Sequence, residues 1–219
     1  MSPRSVVFSG DRVCRAALQL VREDGWAALT ARGLAKRLGS SVAPVYSAFG
    51  SMSELETRVL RDSLRMLDAS MSRPWAASSF LSMGVGLAVF ARDERQLFLA
   101  LYRTGGSRSD MLGRFKASLL ERLRSDTVMS RVAPEALERI FERMWVFTIG
   151  LALSLIYGHT ADASTEGIAR TLRSVGGVMI YAELAGIVDD ESEEARVAWA
   201  RLLKARGIDI KPATRRKKR

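Results

Sequence analysis

Apolar residues recur along this chain at spacings of three and four, interrupted by glycine and proline, and no stretch alternates apolar with polar residues as a half-buried strand does. Val13, Ala16, Ala17, Leu20 and Val21 share one face of a first segment, 11–24, with Arg12, Arg15, Gln19 and Arg22 off it. Ala31, Leu34, Ala35 and Leu38 repeat the pattern in a short second segment that Thr30 can cap and Gly39 ends. Ser40 or Ser41 is placed to cap a third, carrying Val45, Tyr46 and Phe49. Leu60, Leu64, Leu67 and Met71 stripe a long fourth helix over 51–72. Pro74 is expected to open a fifth helix with an apolar centre at 80–91, followed by helices at 94–103, 110–125, 134–158, 165–187 and 191–206. The spacing predicts an all-α fold.

The chain has 219 residues, enough for one large or two small domains with a sizeable core. Cys14 is its one cysteine and His159 its one histidine, which excludes a disulfide framework and any metal site built on two of either residue. There is no P-loop, no His-Glu-x-x-His and no Gly-x-Ser-x-Gly, and Gly84-x-Gly86 follows no strand. An enzyme is therefore not expected, and neither catalytic residues, cofactor nor metal are assigned. Cys14 has no basic cluster beside it and reads as an inert thiol. The longest apolar stretch, 144–157, is short of the ~18 to 20 residues that cross a bilayer, and no signal peptide pattern opens the chain, so a cytoplasmic protein without a membrane partner is expected.

The formal charge of +10 is unevenly spread. Residues 1–58 carry eight Lys and Arg against five Asp and Glu; residues 59–203 are balanced; residues 204–219 carry eight basic residues and one acid, Asp209. The run from 215 to 219 is self-repelling and has no apolar face, so 207–219 is expected to be a disordered basic tail. An alternative reading follows, in which the tail makes the protein a non-specific or architectural nucleic-acid binder.

A helix ending at Gly39, a tight turn through Ser40 and Ser41, and a short second helix is the spacing of a helix-turn-helix. The residues around it are more telling. Gly25 followed by Trp26, Thr30-x-Arg32, Leu34-Ala35, Leu38-Gly39-x-Ser41, Val45-Tyr46 and Phe49-x-Ser51-x-x-Glu54-Leu55 resemble the N-terminal domain of the tetracycline-repressor (TetR) family of bacterial transcriptional regulators, over about residues 9–58. Two positions depart from the family pattern, with Ser40 in place of an apolar residue and Met52 in place of a lysine.

The resemblance implies a helix-turn-helix domain at 1–58 and a larger helical ligand-binding and dimerisation domain at 59–206, ahead of the tail read from the charge. It implies that Thr30, Arg32, Ser41, Tyr46 and Ser51 bind phosphates or set register on double-stranded DNA. Val42, Ala43, Pro44 and Ser47 would face base edges, with Arg4 as an N-terminal arm. With small and apolar readers, thymine methyls and groove shape should dominate the readout. It further implies a homodimer through the last long helices and a small-molecule effector between the middle ones. Met83, Phe90, Phe98, Tyr102, Met111, Phe115, Met144, Trp145 and Phe147 are the candidate lining, with Arg92, Arg103 or Glu142 as a polar contact. The small faces of Gly150, Ser154 and Gly158, and of Ala169, Gly176 and Gly177, are the candidate dimer contacts. The expected activity is that of a repressor released from a near-palindromic operator by a small lipophilic ligand.

Overall fold

The computed structural model describes residues 8–102 and 107–184, together with the single positions Val197, Arg201, Lys204 and Ala205. Arg4, Arg103, the helix expected at 191–206 as a unit, and the tail at 207–219 lie outside the described residues. Helices α1 (Gly10–Asp24), α2 (Ala31–Leu38), α3 (Ala43–Ala48), α4 (Met52–Met71), α5 (Ser79–Asp93), α6 (Arg95–Leu101), α7 (Ser107–Arg124), α8 (Pro134–Ile156) and α9 (Thr165–Leu184) follow in order, and among the described residues there is no strand. The fold is all-α, as the periodicity predicts.

Local chemistry sets most boundaries. Thr30 caps α2 by accepting the Gly33 N–H at 3.0 Å, and Ser51 caps α4 by accepting that of Glu54 at 3.2 Å. Gly39, at φ 64°, ends α2 in the left-handed conformation, and the Ser40 N–H reaches back to the Ala35 carbonyl at 3.0 Å. Two expectations fail. Pro74 does not open α5, which starts at Ser79 behind the cap Ser78. The turn before it is held by the Trp75 Nε1–H donating to the Ser70 carbonyl at 2.7 Å, and by Ser82 Oγ, which accepts from the Ala76 N–H and donates to its carbonyl. Neither Ser40 nor Ser41 caps α3. Its N-cap is Val42, which makes no side-chain cap bond, and Pro44 falls in the first turn, where no intrahelical N–H is lost.

α1, α2 and α3 pack on one another as a head, and α4 runs from it into the body. Twenty residues at about 1.5 Å each make α4 roughly 30 Å long. α5 is the centre of the body, touching α4, α6, α8 and α9. Its sequence allows this, because Ser82, Met83 and every residue from Val85 to Ala91 are buried, so the helix is apolar around its whole circumference. Gly86 lets it approach α4: a Cβ there would overlap the Ser70 carbonyl and sit 2.6 Å from the Met71 Cα, while Ser70 Oγ donates to the Gly86 carbonyl at 2.7 Å.

One apolar cluster runs unbroken from the head into the body, from Val13, Leu34 and Val45 through Leu55, Val59 and Leu67 to Leu97, Phe98, Leu119 and Leu137. A second, smaller cluster joins α5, α8 and α9 through Val85, Val89, Ile140, Ile168 and Leu172. α6 packs against α1, and Arg22 of α1 donates through Nε and Nη2 to both carboxylate oxygens of Glu94, at 2.6 and 2.8 Å, across the same junction. No helix among the described residues is long and apolar enough to cross a membrane.

Candidate nucleic-acid interface and cavity

α3 buries Val45 and leaves Tyr46 and Ser47 outside, as its sequence requires for a helix docked by one face. Ser41, Val42 and Ala43 at its start are exposed too, and Tyr46 remains 49% exposed despite its size. Pro44 corrects the sequence reading. It is buried with Val45, so its ring packs inward and is not presented with the other residues expected to face base edges.

Thr30 and Arg32 lie on the rim formed by the start of α2, and both are exposed. The cap bonds of Thr30 and Ser51 use their hydroxyl oxygens only as acceptors, which leaves each O–H free to donate. Ser51 itself is half-buried. The Glu54 carboxylate accepts the neighbouring Gly50 N–H at 3.0 Å and so fixes the start of α4.

The head's cations divide into two sets. Arg37 grips Glu23 with two bonds of 2.7 and 2.8 Å, Arg58 bridges Asp62 and Asp11, and Arg22 holds Glu94. Arg32 and Lys36 have no ion pair among the described residues. They stand one turn apart on α2, on its exposed side. Lys36 was missed in the sequence, although its i, i+4 spacing from Arg32 was the available signal.

Cys14 is buried and donates its S–H to Asp62 at 3.2 Å. Burial first, then the Asp62 carboxylate, push its thiol up to about 12. A thiol reagent at pH 8 should therefore leave the folded protein unmodified while labelling the denatured chain within minutes, as intact-mass analysis would read. Rapid labelling of the folded form would contradict this burial. Among the described residues no group of three or more His, Cys, Asp or Glu is placed to hold a metal.

In the body a cavity of about 240 Å³ lies between α5, α8 and α9. Met83, Gly84 and Leu87 supply one wall, Met144, Trp145 and Thr148 a second, Leu172, Gly176 and Gly177 a third. Thr148 donates its hydroxyl to the Met144 carbonyl at 2.7 Å, so it presents little unspent polarity. Arg173 stands on the lining and was not anticipated.

Of the expected lining residues the structure brings together Met83, Met144 and Trp145. Phe90 and Phe98 are packed into the core, Phe115 packs against the same cluster, and Phe147 packs against the second one. Tyr102 stacks on Phe98 at 4.7 Å between centroids, with its hydroxyl buried and unpartnered, and Met111 lines a separate small crevice with Leu60 and Leu101. The reason is position along the bundle. The cavity sits at the N-terminal half of α5, beside the last turn of α4 at Met71, whereas α6 and the second half of α5 lie toward the head. Arg92 is occupied by Asp93 and the Ala163 carbonyl, and Glu142 by Lys116; neither lines the cavity.

The expected dimer residues also divide. Ala169 is buried in the second cluster, and Gly176 lies against the Met144 side chain, where a Cβ would come 3.2 Å from its Cε, so both serve contacts within the chain. Gly150 and Gly177 face open space, Ser154 is half-buried, and Gly158, at φ 73°, terminates α8. Around them Val146 and Leu153 of α8, Tyr157 at its C-cap, and Val178, Tyr181 and Leu184 of α9 are exposed.

No curated protein matches the chain. Residues 13–58, from the first turn of α1 through the helix-turn-helix and two turns into α4, match the family model described as "Bacterial regulatory proteins, tetR family". A short exposed helix docked by one face, a capped support helix with unpaired cations beside it, and this match agree that residues 13–58 form a DNA-binding domain of the kind found in tetR-family regulators of transcription.

Proposed function

We propose that the protein is a dimeric repressor that reads a near-palindromic operator and leaves it when a small lipophilic molecule enters the cavity between α5, α8 and α9. The cavity carries this reading, because its lining is almost wholly apolar and four methionines, Met71, Met83, Met129 and Met144, give it an adaptable wall. The exposed apolar residues of α8 and α9, with bare backbone at Gly150 and Gly177, support pairing of two copies as a four-helix bundle. A twofold axis there would present two copies of α3 to half-sites about one helical turn, roughly 34 to 36 Å, apart.

Exposed Thr30, Arg32, Ser41 and Tyr46, with half-buried Ser51, would set the phosphate register, and Val42, Ala43 and Ser47 would meet base edges. Ligand in the cavity would act on the last turn of α4 at Met71, and α4 begins at the head, so the separation of the two recognition helices would change.

Selection of bound sequences from a random DNA library at about 150 mM salt tests this. The expected product is a palindrome with half-sites one turn apart. An enriched set without symmetry would remove the dimeric operator, and no enrichment at all would leave non-specific binding through the basic tail as the better account.

A further inference from the structure

The apolar cavity has a polar neighbour. A second hollow of about 330 Å³ lies on the other side of Met71 and Met83, the residues that line both. Its wall comes from the turn between α4 and α5, the first residues of α5 and the end of α7, and includes Arg73, Ala77, Ser79, Arg122 and Asp126.

The charges in this hollow are unequally satisfied. Asp126 accepts the N–H groups of Val128 and Met129 on one oxygen, each at 2.9 Å, and the Ser79 hydroxyl on the other. These bonds, the Ser79 one first, hold its carboxyl below the usual range, so it is ionised and fully engaged. Arg122 spends one terminal nitrogen on Asp68 and Ser72, at 3.0 and 3.1 Å. Arg73 lies over the Trp75 ring, 4.2 Å from its centroid, and has no carboxylate partner among the described residues. Stacking orients its guanidinium without using any of its five N–H donors. The hollow is thus supplied with donors and short of an acceptor.

We propose that the two hollows form one binding site for an elongated lipophilic acid, whose apolar body fills the space between α5, α8 and α9 and whose carboxylate rests on Arg73 and Arg122. Met71 and Met83 are the partition between them, and unbranched thioethers swing aside without disturbing the backbone. The inference rests on the effector reading above and adds to it the head group and the side on which it lies. A ligand held wholly in the apolar cavity would instead turn its acid toward Arg173 on that lining.

Calorimetric titration of the full chain at pH 7 with straight-chain alkanoates from hexanoate to hexadecanoate, and with the 1-alkanols of equal length, decides the matter. Acids are expected to bind at least tenfold more tightly than the matching alcohols. That advantage should disappear in the R73A/R122A double variant and in Ala77→Trp, which fills the polar hollow from an exposed position, and should survive in Arg173→Ala. An advantage lost with Arg173 and kept in R73A/R122A overturns the proposal. Equal binding of acids and alcohols overturns the head-group site while leaving the apolar cavity in place, and no binding by either series overturns both readings.

Discussion

Gly86→Ala is expected to lower the melting temperature by about 6 °C. The new Cβ would overlap the Ser70 carbonyl and lie 2.6 Å from the Met71 Cα. Both neighbours are backbone, so no side-chain rotation relieves the clash, and α4 must part from α5, breaking the bond from Ser70 Oγ to the Gly86 carbonyl. Overpacking of this kind costs about 3 kcal/mol, which outweighs the gain of up to ~1 kcal/mol in helix propensity. Gly84→Ala is the internal control. It lies in the same helix with the same propensity gain, but its Cβ would meet side chains alone, Leu172 at 3.4 Å and Thr148 at 3.8 Å. Equal melting temperatures for the two variants would show that the α4–α5 contact is not tight.

The second large effect falls on DNA. Tyr46→Ala and Arg32→Ala should each weaken operator binding about tenfold, equivalent to about 1.4 kcal/mol, and leave the helical circular-dichroism spectrum unchanged. Both side chains are exposed and neither has a bond within the chain to lose. They should nevertheless differ in character. Removing Arg32 takes away one phosphate neutralisation, so the slope of log affinity against log salt should fall by about 0.9, whereas removing Tyr46 should leave the slope intact. Val45→Ala is the contrasting case, because Val45 is 1% exposed and its truncation should destabilise the head. Unchanged affinity in both exposed variants would move the DNA surface off α2 and α3.

The head was legible in the sequence because its determinants are local. Thr30, Gly39 and Ser51 act within three or four residues of themselves, through cap bonds and a left-handed turn that any reader of the sequence can foresee. Pro74 and Pro44 were misjudged for a matching reason. The turn around Pro74 is held by partners up to six residues away, Ser82 to Ala76 and Trp75 to Ser70, and the burial of Pro44 depends on how α3 docks.

The cavity shows a harder limit. Met83, Leu87 and Phe90 share one stripe of α5, and nothing in their spacing says that the first two border empty space while Phe90 is packed solid. That difference is made by four neighbouring helices at once. Ala169 and Gly176 likewise looked available as small residues but are consumed within the chain, while the exposed residues that flank them, such as Val178 and Tyr181, are large. Arg73 escaped notice because its significance comes from lacking a partner, which only the packed structure reveals.

The unbroken apolar cluster between head and body bears on how such a protein can be re-engineered. Exchanging recognition domains between regulators by splicing at residue 58 would sever α4 after two turns, orphan the Arg22–Glu94 fork, and leave the face of α1 that packs on α6 against a foreign surface. A transplant that keeps its wiring must carry α4 to Met71 together with the contact face of α6. The unit that can be moved is therefore larger than the unit that touches DNA.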